Sequence, residues 1–257
     1  MLDAALAGCY VISLRPVGAH AAIRRAAAAH GARVLALSPW KLVQRDDAAT
    51  RRDLRTALAC ARVVFTSPAA VQAASALQPL RTRRGQAWFA VGAGTAAALR
   101  RAGISEVLTP QRMDSDGLLA LPGLRDVDGI RVGIVTAPGG RDQMAPALRG
   151  RGAHLLRVDV YARVAVPLSP RAVAALCALA APTWLALSSG EALQRVLGAL
   201  PPEALATLRR ARVVAASARL AVLAQTHGFA DVTIAASAQP RDLLAAAAQA
   251  RVHQQER

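Results

Sequence analysis

Short apolar runs alternate along this chain with longer stretches in which apolar residues recur at helical spacing. The runs YVISL (10–14), RVLAL (33–37), RVVFT (62–66), WFAV (88–91), EVLT (106–109), RVGIV (131–135), LLRVDVY (155–161), WLALS (184–188), RVVAA (212–216) and DVTIA (231–235) read as strands. Strands that alternate with helices predict mostly parallel sheet with helices packed on both faces, an α/β architecture. The helical stretches stop where glycine can cap them: AAIRRAAAAHG at Gly31, APALRGRG around Gly150 and Gly152.

The pattern repeats internally. VVFTSPAAV (63–71) is answered by LALSSGEAL (185–193), and AVGAGTAAALRRAGISEVL (90–108) by VAASARLAVLAQTHGFADVTI (214–234). Each is followed by a Leu-Leu helix, SDGLLAL and PRDLLAA. A smaller unit, YVISLRPVGAHAAIRRAAAAHGARVLAL (10–37), resembles RVGIVTAPGGRDQMAPALRGRGAHLLRV (131–158). The order is interleaved, because the second small unit follows the first large one. The simplest closure pairs the N-terminal unit with the C-terminal large unit. That predicts a discontinuous α/β domain over 1–38 and 165–257, with a second α/β domain over 48–156 inserted in it. The chain then crosses between domains twice, through 39–47 and 157–164. Both crossings, SPWKLVQ and VDVYARVAV, are β-rich and can pair as a two-stranded β linker.

Composition agrees with two domains. At 257 residues the chain exceeds the usual size of one, and 54% apolar with only 3% aromatic residues points to alanine-rich helices over a Val/Leu core. The formal charge of +16 comes from 32 basic against 16 acidic side chains, and Lys41 is the only lysine. Arginine presents a rigid donor fork to carboxylate or phosphate. Two readings stay open: a GC-rich coding bias, or an anionic partner. Cys9, Cys60 and Cys177 are isolated and predict reduced thiols in a cytoplasmic protein. Asp3 stands where a signal peptide would want positive charge. The most apolar run, VAALCALAAPTWLAL (173–187), is broken by Pro182, so no membrane span is expected.

Candidate chemistry concentrates at strand-to-helix turns, where open parallel sheets bind ligands and helix N-termini offer free N–H groups. Thr66, Ser67, Ser188, Ser189, the Gly92–Thr95 turn and Ser217 all lie there. Hydroxyls and free amides together suit anionic oxygens. Each hydroxyl can also be a plain helix cap; their doubling in mirrored halves favours a shared ligand. GAGTAA (92–97) partly matches a dinucleotide fingerprint, but the next strand ends in Thr109-Pro110 instead of an acidic residue, so NAD is not expected. The arginines are scattered and aromatics are few, which argues against nucleic acid. The five histidines, His20, His30, His154, His227 and His253, show no metal-ligand spacing, and no metal is expected; three of them, at helix ends before or near a glycine, read as helix-end residues. Tyr161 lies in the crossing segment. A phenol holds its proton at neutral pH and can give it to a departing hydroxyl; a ring that merely packs the linker is the other reading.

The ordered set of weak motifs resembles the uroporphyrinogen-III synthase family over nearly the whole chain. The motifs are the Arg15-Pro16 turn, VVFTSPAAV, FAVGAGTAAAL with RAGI, SDGLL, APGGR (137–141), VDVYARV, LALSSGEAL, and VVAASARLAV with HGF. The resemblance implies two flavodoxin-like domains with parallel sheets, joined by a two-stranded ladder, in a monomer that works without metal or organic cofactor. It implies a lyase that closes hydroxymethylbilane, a linear tetrapyrrole octacarboxylate, to uroporphyrinogen III. The terminal hydroxyl leaves as water, and ring D is inverted through a spiro intermediate before closure. It also implies hydroxymethylbilane synthase, which makes the substrate, as a candidate partner. Tyr161 matches the family's linker tyrosine, the candidate acid. Thr66, Ser67, Ser188, Ser189 and Gly190 match substrate-contacting turns, Gly92, Thr95 and Ser217 a second pair, and Arg15 and Arg141 the turns after the small units' first strands. Ala215-Ala216-Ser217 departs from the pattern, in which a glycine often precedes the hydroxyl. The rival reading is a non-catalytic two-domain binder of a small polyanion, which would have no need of an acid at Tyr161.

Overall fold

Strand residues of opposite parity bury on opposite sheet faces, and in this chain both parities are apolar. The computed structural model describes residues 4–112, 115–139 and 144–255. The chain divides into two compact units, Met1–Lys41 with Val164–Arg257, and Leu42–Arg163.

The first unit contains β1 (Tyr10–Ser13), α1 (Ala21–Ala29) and β2 (Arg33–Ala36), and β3 (Trp40–Gln44) leads out of it. The second unit contains α2 (Ala48–Leu58), β4 (Arg62–Phe65), α3 (Pro68–Leu77), β5 (Ala87–Ala90), α4 (Ala93–Arg101), α5 (Ser115–Leu119), α6 (Pro122–Arg125), β6 (Arg131–Thr136), α7 (Met144–Gly150) and β7 (His154–Asp159). Strand β8 (Tyr161–Ala165) leads back. The first unit is completed by α8 (Pro170–Cys177), β9 (Thr183–Leu187), α9 (Gly190–Ala199), α10 (Pro202–Arg209), β10 (Arg212–Ala215), α11 (Ala218–Thr226), β11 (Val232–Ile234) and α12 (Pro240–Gln255).

In the first unit the sheet order is β11-β10-β9-β1-β2, with every pair parallel. Ile12 sits between Leu35 and Leu185 in register. Ile12, Leu185 and Val213 bury on one face with Leu193 and Val196 of α9. Their neighbours Val11, Trp184 and Val214 bury on the other, with Ile23 of α1 and Leu243 and Leu244 of α12. A sheet apolar on both faces must be covered on both, which is why the strands read as continuous apolar runs.

The second unit repeats the plan, with order β5-β4-β6-β7, again all parallel. Val63, Phe65, Trp88 and Val135 face one core, and Val64, Phe89, Val132 and Ile134 the other. Phe65 and Trp88 stack with ring centroids 5.8 Å apart. Helix α2 packs close on β6: a Cβ on Gly133 would lie 2.1 Å from the Ala57 carbonyl oxygen, so only glycine is accommodated there.

The segment 106–109, expected as a strand, is reduced to one bridge in which Leu108 lies parallel to Phe89. Leu108 exchanges bonds with Trp88 O and Ala90 N–H, and Pro110, which has no N–H, stops the ladder from growing.

The chain passes between the units through β3 and β8, which pair as a separate two-stranded sheet. Arg45 N–H donates to Val160 O and Val166 N–H to Pro39 O, so one index rises as the other falls and the pair is antiparallel. The run 155–161, expected as one strand, is divided at Val160. Its N–H donates to Thr136 O in the sheet, and its carbonyl accepts from Arg45 in the ladder. Among the described residues, no helix is long and apolar enough to cross a membrane.

Candidate active site

In the second unit the connection from β6 to β7 and that from β4 to β5 run in opposite directions along the sheet. The carboxyl ends of β4 and β6 therefore form the switch point at which open α/β sheets hold ligands. Three hydroxyl-bearing residues meet near it. Thr66 follows β4, Thr136 ends β6, and their Oγ1 atoms are 2.7 Å apart. Ser67 caps α3, its Oγ accepting from Ala70 N–H at 3.0 Å, and Pro68 sets the first helical position.

Tyr161, the first residue of β8, closes the group: its hydroxyl lies 3.1 Å from Ser67 Oγ. Its ring is half-buried against the core that contains Leu54, Val135 and Val160. The packing reading describes the ring, and the hydroxyl points to the strand ends, where the acid reading would need it. Ala70 N–H can only donate, so one Ser67 lone pair is engaged and the Ser67 proton is free to go to the phenol oxygen. That order, N–H to serine to phenol, leaves the phenol proton available to a further acceptor.

Basic groups lie close by. An Arg163 guanidinium nitrogen is 3.6 Å from where a Cβ on Gly139 would stand. Arg157 pairs with Asp159 at 3.2 Å and donates to Ala137 O at 3.3 Å. At the next strand, Gly92 caps α4 with extended backbone and no side chain. The N–H groups of Ala93 and Gly94, in the first turn, precede the first intrahelical donors of α4. Thr95 is 4% exposed and packs inward, so at this turn it is the backbone that is presented.

The first unit has its switch point between β1 and β9. Ser13, the last residue of β1, pairs with Ala186; Arg15 follows β1 by two residues, and Ser188 follows β9 directly. Arg15 donates to Ala238 O at 3.4 Å, and burial lowers the pKa of its guanidinium. Ser189 caps α9 by accepting from Ala192 N–H at 3.3 Å, and Ser217 caps α11 by accepting from Leu220 N–H at 3.4 Å. Gly190 is buried, and a Cβ there would come within 2.6 Å of Leu223 Cδ2, so α9 and α11 approach closely at this turn. Arg141 lies outside the described residues.

A family model described as uroporphyrinogen-III synthase HemD matches residues 21–245. The chain belongs to this family. It is similar to the uroporphyrinogen-III synthases of Escherichia coli K12, 33% identical over 161 residues, and Salmonella typhimurium LT2, 35% over 162. Each alignment covers 62% of this chain and 65% of the relative's length. A mutant uroporphyrinogen III synthase from the extremely thermophilic bacterium Thermus thermophilus matches in structure with a TM-score of 0.61 at 15% identity, covering 97% of this chain and all of that one. A uroporphyrinogen-III synthetase from Helicobacter pylori 26695 matches with 0.60 at 13%, covering 95% and 99%. At these identities the structural likeness is one of fold.

Strand-end groups of this kind occur in each of the two units. The sequence reading did not single out Thr136, although its place at the end of a repeated strand marked it. It also did not single out His20, which was counted only among histidines without metal spacing. His20 is 5% exposed and bridges Ser13 Oγ at 3.0 Å and Ser38 Oγ at 2.8 Å. The helix-end expectation does describe His30 and His227, which cap the C-termini of α1 and α11, whereas His154 begins β7. Two open depressions of about 430 and 370 Å³ surround Arg125 and Arg151. These residues precede β6 and β7, at the opposite strand ends, and Arg151 is engaged in holding Leu119 O and Leu124 O. The hydroxyl group at the switch point is the better candidate on chemical grounds. No cluster of three or more His, Cys, Asp or Glu that could hold a metal occurs among the described residues.

Proposed function

We propose that this chain is a uroporphyrinogen-III synthase, a lyase that cyclises hydroxymethylbilane with inversion of ring D and loss of water. Family membership supports the reaction, and the observation that carries the site assignment is the 3.1 Å contact between Tyr161 and Ser67 beside the Thr66–Thr136 pair. The phenol of Tyr161 gives its proton to the terminal hydroxyl, the C–O bond breaks, and water leaves. Ser67 then donates to the phenolate oxygen. The resulting azafulvenium is attacked by the substituted carbon of ring D, and the spiro intermediate reopens. The free α-carbon of ring D then closes the ring as the type III isomer, and the proton this carbon loses returns to the Tyr161 phenolate. Acid assistance of this kind contributes about 10²–10⁴-fold.

Acetate and propionate arms are held by the strand-end groups of each unit: Thr66, Ser67, Gly92 and Thr95 with their turns, and Arg15, Ser188, Ser189, Gly190 and Ser217 with theirs, joined by Arg141. Gly92 and Gly190 contribute backbone N–H groups through the geometry of their turns, and buried Thr95, whose own N–H donates to Gly92 O, holds the first of these turns in shape. An octacarboxylate substrate also gives the +16 charge a use, since a basic surface raises the encounter rate with a polyanion. We take the working form to be a cytoplasmic monomer that receives its substrate from hydroxymethylbilane synthase. Purified protein given fresh hydroxymethylbilane tests the reading: type III product is expected, and type I alone refutes it.

A further inference from the structure

His20 occupies the N-cap position of α1 but makes no side-chain cap bond. Its ring instead joins two otherwise separate segments. Nδ1 is 3.0 Å from Ser13 Oγ at the end of β1, and Nε2 is 2.8 Å from Ser38 Oγ in the connection from β2 to β3. Ser13 is 1% exposed. Two backbone bonds brace the same turn: Val17 N–H donates to Trp40 O at 2.9 Å, and Leu37 N–H to Ser13 O at 2.9 Å. Arg15 lies in this turn, two residues from Ser13, and donates to Ala238 O at 3.4 Å.

The protonation state follows from the surroundings. A neutral imidazole offers one donor and one acceptor, so one serine accepts from the ring and the other donates to it. An imidazolium would offer two donors, and the serine that donates would have to turn its proton elsewhere and accept instead, losing the bond it gives. Burial lowers the ring's pKa, and the positive charges of Arg24 on α1 and Arg15 in the turn lower it further. The N-terminus of α1 also disfavours a cation. The two ring nitrogens meet the uncharged hydroxyls of Ser13 and Ser38.

We propose that neutral His20 is a positioning residue for a substrate carboxylate: by bridging Ser13 and Ser38 it fixes the β1–α1 turn and aims Arg15. This rests on the proposed function through the role given to Arg15. A carboxylate bound alike in ground and transition states affects KM and leaves kcat alone, so a loosened turn should do the same.

Two measurements test it. In ¹H–¹⁵N spectra of the wild-type protein between pH 7.5 and 5, the amides of Leu14, Arg15, Val17 and Ser38 should shift together with the His20 ring, in one step below pH 6.5. Amides that ignore the ring overturn the bridge, whatever the protein catalyses. In steady-state assays at pH 7.5, His20→Gln and, separately, Ser38→Ala should raise the KM for hydroxymethylbilane about tenfold, the scale of one lost charge-assisted bond, with kcat within twofold of wild type. The wild-type rise in KM below pH 6.5 should vanish in His20→Gln. An unchanged KM, or a loss confined to kcat, overturns the positioning role. A wild-type protein that makes no type III isomer overturns the proposed function and the carboxylate role with it, while the spectra still decide the bridge.

Discussion

The phenol oxygen of Tyr161 lies 3.1 Å from the Oγ of Ser67, a residue 94 positions earlier in the chain. Ser67 reaches that place as the cap of α3, and Tyr161 as the first residue of the strand that leaves the sheet after Val160. One hydroxyl therefore serves two ends, holding a helix start and orienting a phenol.

Replacing Tyr161 by phenylalanine removes the hydroxyl and keeps the packed ring. Turnover should fall by about 10²–10⁴ if the phenol is the acid. The far-UV circular dichroism should be unchanged, because the ring's contacts with the Leu54 and Val160 core survive. Turnover equal to wild type would remove Tyr161 from the acid role.

Ser67→Ala should cost about 1 kcal/mol in urea unfolding through loss of the cap. Ser217→Ala should cost less, because its contact to Leu220 N–H is 3.4 Å long against 3.0 Å from Ala70 to Ser67. Turnover in Ser67→Ala should drop less than in Tyr161→Phe, since the phenol remains. Equal unfolding losses in the two serine variants would contradict this ranking.

Much of the architecture was legible in the sequence because its causes are local. Continuous apolar runs such as VVFT and WLAL announce strands buried on both faces, and glycines such as Gly31 end the helices. The interleaved repeat pointed to two sheets of one design. The segment around Leu108 was over-read because its residues suit a strand, while Pro110, an edge position and a single neighbour limit it to one bridge. The site was less legible. The hydroxyls at Ser67, Ser189 and Ser217 show in sequence as caps or as ligands, and local pattern cannot separate the two. The Thr66–Thr136 and Ser67–Tyr161 contacts depend on strand order, which joins residues 70 and 94 positions apart. His20 was passed over because its partners are serines, which form no recognisable spacing with it.

Acid should weaken the fold through His20. Its folded pKa lies below the ordinary 6.5, so both states hold it neutral above pH 6.5 and its contribution to stability is complete there. As the pH falls below 6.5 towards the lowered folded value, the unfolded chain takes up a proton that the folded one refuses, and that contribution is lost. The gap in urea midpoint between wild type and His20→Gln should therefore narrow between pH 7 and pH 5. A constant gap would contradict a neutral, buried bridge.

The three cysteines should differ sharply in reactivity. Cys9 and Cys60 are buried, and burial pushes both thiols up, away from the reactive thiolate, whereas Cys177 is exposed at the end of α8. An aromatic disulfide reagent should titrate one thiol rapidly in the native protein and the other two only in denaturant. Fast reaction of Cys60 would show that the end of α2 opens readily.

The central claim is that the chain directs ring closure through inversion of ring D. The most direct measurement is the isomer ratio of the uroporphyrin recovered, after oxidation, from fresh hydroxymethylbilane incubated with wild type, with Tyr161→Phe, and without protein. The account predicts mainly type III with wild type, type I without protein, and a shift towards type I with Tyr161→Phe at equal protein concentration. Type I alone in all three would contradict it.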